Sequence, residues 1–234
     1  MKRCFCLFLF SVLLACTKNA PPLTATAAPL PTPVPPLVVL DFGHGGFDGG
    51  ATGIESGVVE AELNLLVGLL VRDALEEAGC RVILTRADDG ALGKTKREDM
   101  QARGEILKNP NAACTVSIHM NKFSDRSISG PMAFYQAGAE QGRLLAQNVI
   151  DALTQALNRP SRRANPADNF VTRVPTAPSV LVECGFLSNR DDEKNLQEPA
   201  YRQTLADAIA EGVLRYLASA DESTKSESLS TPTA

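Results

Sequence analysis

The segment Val38–Gly50, VVLDFGHGGFDGG, restricts the possible fold more than any other stretch of the chain. Val38, Val39 and Leu40 are uncharged β-formers, as suits a strand covered on both faces. Past Asp41, the glycines at 43, 45, 46, 49 and 50 let the backbone leave the strand sharply and lie close to a bound group. His44 sits within that turn. A histidine held at the carboxyl end of a strand suits a metal ligand or a base, and it equally suits a purely structural turn.

The rest of the chain supplies one domain around this turn. Its 234 residues and hydrophobic fraction of 44% fit a single globular domain with appendages. The net charge of -4, with no basic face and no interleaved aromatics, excludes nucleic acid as a partner. Residues 1–15 read as a lipoprotein-type signal: Lys2 and Arg3 precede an apolar run from Cys4 to Ala15, too short for the ~20 residues of a spanning helix. Leu13-Leu14-Ala15-Cys16 resembles a lipobox, so Cys16 is expected to carry lipid and anchor the exported chain to a membrane, facing the cell wall or periplasm. The proline-rich remainder of 16–36 reads as an extended spacer. Cys80, Cys114 and Cys184 lie in or beside apolar runs and read as buried thiols rather than a disulfide framework or a zinc knot.

Within 37–218 the periodicity alternates. A strand at 38–40 precedes a helix over 62–78 with Leu63, Leu66, Val67, Leu70 and Ala74 on one face, and a strand follows at 81–85. A charged helix over 97–107 leads to a strand over 113–118 that ends on His119. Then come a strand at 131–135, an amphipathic helix over 139–157, a basic loop at 159–169, a strand over 179–182 ending on Glu183, and a helix over 201–218. Residues 219–234 are polar and are expected to be disordered. The pattern predicts an α/β fold: a single domain with a largely parallel central sheet and helices on both faces.

Ligands in open α/β sheets gather outside the carboxyl ends of strands. Both histidines of the chain, His44 and His119, fall at such ends, and so does Glu183. A catalytic zinc takes three protein ligands of His or carboxylate type, which leaves one ligand to find among Glu55, Glu60, Glu62 and Glu183. Glu60 follows the loop that leaves the glycine turn and can swing toward His44, whereas Glu62 would point elsewhere and favour the helix dipole. Glu183 lies in an apolar run, LVECGFL, where an unpaired carboxylate is costly; a general base with a raised pKa explains it better than a structural role.

LDFGHGG, the Glu60-Ala61-Glu62-Leu63-Asn64-Leu65 segment, LTR at 84–86, SIHMN at 117–121 and LVECGFLSN at 181–189 together resemble the zinc-dependent N-acetylmuramoyl-L-alanine amidases of the amidase 3 family, in order and over the whole domain. The resemblance implies that His44, Glu60 and His119 bind Zn2+, that Glu183 is the catalytic carboxylate, and that the substrate is peptidoglycan. Phe42 stands where the family usually has proline and Ala61 where lysine is common; neither is a proposed ligand. Residues 96–107, 134–136 and VECGFLSN look most like the spore-cortex amidases that prepare muramic lactam.

The expected reaction is hydrolysis of the amide between N-acetylmuramic acid and L-alanine. Family members with a long helix after the SIHMN strand plug their own site. Here only Lys122 to Gly130 intervene, so control is expected from an activating protein outside the domain or from timed expression. Arg162 and Arg163 are candidates for meeting substrate carboxylates, or a solvated basic loop. A general vegetative amidase, a catalytically silent peptidoglycan-binding lipoprotein and a zinc peptidase cutting within the stem peptide are the rival readings.

Overall fold

The computed structural model describes residues 34–230. The signal, Cys16 and residues 16–33 of the spacer lie outside them. In chain order the elements are β1 (Leu37–Phe42), α1 (Glu60–Glu77), β2 (Arg81–Leu84), α2 (Lys96–Leu107), β3 (Cys114–Asn121), β4 (Met132–Gln136), α3 (Glu140–Ala156), β5 (Asn165–Ala167), α4 (Phe170–Arg173), β6 (Ser179–Phe186), α5 (Arg190–Gln197) and α6 (Pro199–Ser230).

The strands form one six-stranded sheet in the order β2-β1-β3-β6-β4-β5. Its central pairs are parallel, β4 runs antiparallel to β6, and β5 runs parallel to β4. β1 is buried along its whole length, and its residues alternate between two cores. Val38, Leu40 and Phe42 enter the larger core, filled from α1, α3 and α6 by residues such as Val67, Val149 and Ile209. Val39 enters the smaller one with Leu107, Val171 and Leu181. Helices therefore cover both faces, as the alternation predicts. Cys80, Cys114 and Cys184 are free and buried.

Several expectations shift. The buried stripe of α1 runs through Glu60, Leu63, Asn64, Val67, Gly68, Val71 and Leu75, leaving Leu66 at 38% exposure. The helix begins two residues earlier than its apolar pattern, because Glu60 turns inward at the first position. β3 and β6 continue past His119 and Glu183, since their mutual ladder extends to Asn121 and Phe186. The basic loop contains the short edge strand β5, which gains its ladder from β4. α6 runs through 219–230 instead of ending at 218. Once α6 is nucleated by packing on α1 and α3, each further residue costs little to add, so polar composition alone does not stop it. Among the described residues no helix is long and apolar enough to cross a membrane.

Candidate active site

β1 delivers the glycine turn to the carboxyl edge of the sheet. His44 adopts φ 63, a left-handed conformation uncommon for a residue with a side chain. Two arginines hold it there. Arg103 Nη1 donates to Phe42 O (2.9 Å) and its Nη2 to His44 O (3.0 Å). Arg86 donates from Nε to Phe42 O (2.9 Å) and from Nη2 to Gly43 O (3.1 Å), which also accepts from Asn64 Nδ2 (3.1 Å). Three successive carbonyls that leave the strand ladder are thus satisfied by planar donor forks. Asp41, fully buried, balances Arg103 at 2.5 Å and accepts from Ser117 Oγ (2.5 Å) and Thr85 Oγ1 (2.9 Å). Burial would push the Asp41 carboxyl up; the Arg103 guanidinium and the Ser117 hydroxyl hold it below its usual range.

Beside the turn, Glu60 opens α1 and is 4% exposed. Its Oε1 faces His119 Nδ1 at 2.9 Å and His44 Nε2 at 3.2 Å and accepts the Met120 N–H at 3.2 Å. The two imidazoles stand edge to face with centroids 5.1 Å apart. Close approach needs glycine here: a Cβ at Gly43 would lie 2.1 Å from the His119 ring, and one at Gly50 would lie 2.5 Å from Glu60 Oε2. One ligand atom from each of His44, Glu60 and His119 lies within 4.8 Å of the others.

This donor set fits a divalent cation. Among the described residues Glu60 has no lysine or arginine partner, so the charge of an almost buried carboxylate is met by two imidazoles and by neutral N–H donors from Ala51, Asn64 and Met120. Burial alone would raise the Glu60 pKa, but His119 and His44 hold it well below the carboxylate range. Burial alone would lower the His44 pKa, yet Glu60 and Asp48 raise it. Asp48 Oδ2 lies 2.9 Å from His44 Nδ1, out of line with the ring N–H, so this is a charge contact rather than a hydrogen bond. Without a metal the site draws a proton onto His44; a cation would take its place.

Glu183 pairs in register with His119 across β3 and β6, so both side chains leave the same face of the sheet. Its Oε2 is buried with no hydrogen-bond partner. Burial pushes the carboxyl up to about 7, with the Glu60 charge adding and the two histidines opposing. Glu55 and Glu62 are exposed and take no part in this cluster. The structure brings His44, Glu60 and His119 together and sets Glu183 beside His119 on the neighbouring strand.

What sequence reasoning missed is the frame. Asp192, fully buried, accepts the Gly130 N–H (2.6 Å) and the Phe186 N–H (3.0 Å). Ser188 Oγ accepts the Phe123 N–H at 3.0 Å, and Lys122 Nζ donates to Thr52 O at 2.9 Å. The start of α5 thus braces the chain on both sides of the glutamate strand. Arg162 does not reach outward for substrate: it donates to Ser129 O (2.7 Å) and Pro131 O (3.2 Å), while Arg163 is exposed. Residues 122–131, between β3 and β4, contain no helix, leaving the histidines about one-fifth exposed (side chains 20% and 19%).

Comparison with known proteins agrees with this geometry. The chain is 34% identical over 189 residues to the germination-specific N-acetylmuramoyl-L-alanine amidase of Bacillus subtilis, covering 77% of this chain and 79% of that protein. It is 30% identical to the N-acetylmuramoyl-L-alanine amidase AmiA of Escherichia coli, over 77% of this chain and 75% of that one. The CwlD amidase of Clostridioides difficile, solved in complex with the GerS lipoprotein, superposes with a TM-score of 0.75 at 35% identity, over 79% of this chain and 99% of that chain. Residues 38–215, nearly the whole described domain, match the Amidase_3 model, described as N-acetylmuramoyl-L-alanine amidase, and the chain belongs to that family.

Proposed function

We propose that the domain hydrolyses the amide between N-acetylmuramic acid and L-alanine in peptidoglycan, with a zinc ion held by His44, Glu60 and His119 and with Glu183 as general base and acid. The observation that carries this reading is a buried carboxylate, Glu60, whose Oε1 faces two histidines and, among the described residues, no lysine or arginine, with the unpartnered Oε2 of Glu183 on the same strand-pair face as His119. When bound, zinc polarises the scissile carbonyl and lowers the pKa of water toward ~7. Glu183 takes the proton of the attacking water and returns it to the departing amine of L-alanine, so that water and amide become a lactyl carboxylate and a free peptide. In the metal-free site burial pushes the Glu183 carboxyl up to about 7, and a bound cation would favour its anion, the form that accepts the proton of water.

The spore cortex is the wall this reading assigns, supported by likeness to a germination-specific amidase at 34% identity. The unplugged mouth fits control from outside the domain, and the similar CwlD structure contains a lipoprotein partner. Export and lipid attachment at Cys16 complete the proposal, placing the enzyme on a membrane facing wall or periplasm.

Purified peptidoglycan treated with the protein should release intact stem peptides with a free L-alanine amine, as read by mass spectrometry. A chelator should stop release and added zinc restore it. Shortened peptides would show a peptidase instead, and no products at all a silent binder. Loss of muramic lactam from spores lacking the gene is the expected cortex result; unchanged lactam would assign the vegetative wall. Cells fed radioactive fatty acid should label the protein, and Cys16→Ala should remove the label; label surviving that change would refute the anchor.

A further inference from the structure

One buried carboxylate near the site has no part in the reaction above. Residues 51–59 leave the glycine turn and return to Glu60 as a closed loop. Its base is tied twice: the Glu60 N–H donates to Ala51 O (2.9 Å), and the Ala51 N–H donates to Glu60 Oε2 (2.7 Å). Thr52 and Val59 pair antiparallel just above. The exposed tip is held by Glu193 of α5, itself 1% exposed. Glu193 accepts the Glu55 N–H at Oε2 (3.0 Å), the Ser56 N–H at Oε1 (2.7 Å) and the Ser56 hydroxyl at Oε1 (2.7 Å).

Among the described residues Glu193 has no ion-pair partner, so its buried charge is met by the donors of this tip. Two charged side chains therefore fasten the loop: Glu193, 138 positions away in sequence, at the tip, and Lys122, whose Nζ donates to Thr52 O at 2.9 Å, beside Ala51. Because the Ala51 N–H engages Oε2 of Glu60, Oε1 is the oxygen left to face His44 and His119. Anything that lets Ala51 drift lets the Glu60 carboxylate rotate.

We propose that Glu193 is a positioning residue for the metal: by holding the tip of loop 51–59 it fixes Ala51, and through Ala51 it locks Glu60 with Oε1 turned to both histidines. This rests on the metal reading given above. Groups that orient metal ligands from outside the coordination sphere are worth about 10- to 100-fold in metal affinity. Glu193 acts one bond further out, so its loss belongs at the lower end.

The test is zinc uptake by the metal-free protein in competition with a chromophoric chelator. Glu193→Gln should weaken zinc binding about 10-fold, and Ser56→Ala, which removes the hydroxyl's bond to Glu193 and its acceptance of the Val58 N–H, about 3-fold. Glu198→Gln, exposed just past the carboxyl end of the same helix, should change nothing. With zinc saturating, kcat of Glu193→Gln should return to within about twofold of wild type, because the chemistry itself is untouched. A purely structural role would lower the melting temperature and leave zinc affinity intact, and that result overturns the inference. If Glu193→Gln does not fold, Ser56→Ala decides by the same measurement, with unchanged affinity again the overturning result. Wild-type protein that takes up no zinc overturns the metal reading itself, and this inference with it.

Discussion

Glu183→Gln is expected to lower kcat by about 10²–10⁴-fold while zinc uptake stays normal, since the amide keeps the shape of the side chain but cannot accept the proton of water. The same change should make the metal-free protein more stable at pH 8. The folded Glu183 carboxyl titrates at about 7, above its ordinary 4.5, because burial disfavours its charge. The folded state therefore binds the proton more tightly than the unfolded chain, and stability is lost as pH rises from about 4.5 through about 7. Glutamine carries no such loss, so its melting temperature should exceed that of wild type by a few degrees at pH 8, on the order of 2–4 °C per kcal/mol recovered, and match it near pH 4. Zinc should narrow the gap by stabilising the anion. A variant that turns over peptidoglycan normally, or equal melting temperatures across the pH range, would sink the assignment of Glu183.

Arg103→Met should cost the most in folding. It strands Asp41, fully buried, without its guanidinium, removes the donor to His44 O and leaves Phe42 O to Arg86 alone of the two arginines. Breaking a buried pair from one side typically costs about 3–5 kcal/mol. For a domain of this size that is on the order of 10 °C in melting temperature. Asp41→Asn in the same chain should recover part of the loss by removing the stranded charge, a coupling readable in a double-mutant cycle. Arg103→Lys, which keeps charge but not the fork, should fall between. The stabilising effect of Asp41 belongs to its anion. It is complete above the ordinary carboxylate pKa and disappears as pH falls through the lowered folded value, so wild type should be the more acid-sensitive partner in the comparison. Melting temperatures within 2 °C of each other at neutral pH, ~1 kcal/mol or less, would remove the clamp from the account.

The candidate cluster was legible in part because its side chains are scarce: two histidines, each at the end of an apolar run, and a glutamate inside another stand out in the sequence. The choice of Glu60 among the nearby carboxylates rested on its place after the glycine turn and on the family resemblance. The frame was not legible, because it is assembled from pairs far apart in the chain. Arg103 and His44 are 59 positions apart, and Ser56 and Glu193 are 137 apart. Nothing in the local pattern of KREDMQARGEIL separates a buried fork from a solvated helix face. The short α4, α5 and β5 escaped for a related reason. Each is specified by what it touches: β5 by the ladder of β4, and α5 by the Asn189 cap accepting from the Asp191 and Asp192 N–H groups at 3.1 and 3.0 Å. α6 outran its apolar stripe because packing starts a helix and ordinary propensity can continue it.

Strand polarity gives the domain a direction. The chain enters β1 at Leu37, at the amino edge of the sheet, and reaches the glycine turn after Phe42, at the carboxyl edge. At roughly 3.3 Å per residue, the six residues of β1 put about 20 Å between the point of entry and His44. Any tether attached ahead of Val34 holds the edge opposite the histidines. A tether joined there leaves the histidine edge clear of its own point of attachment.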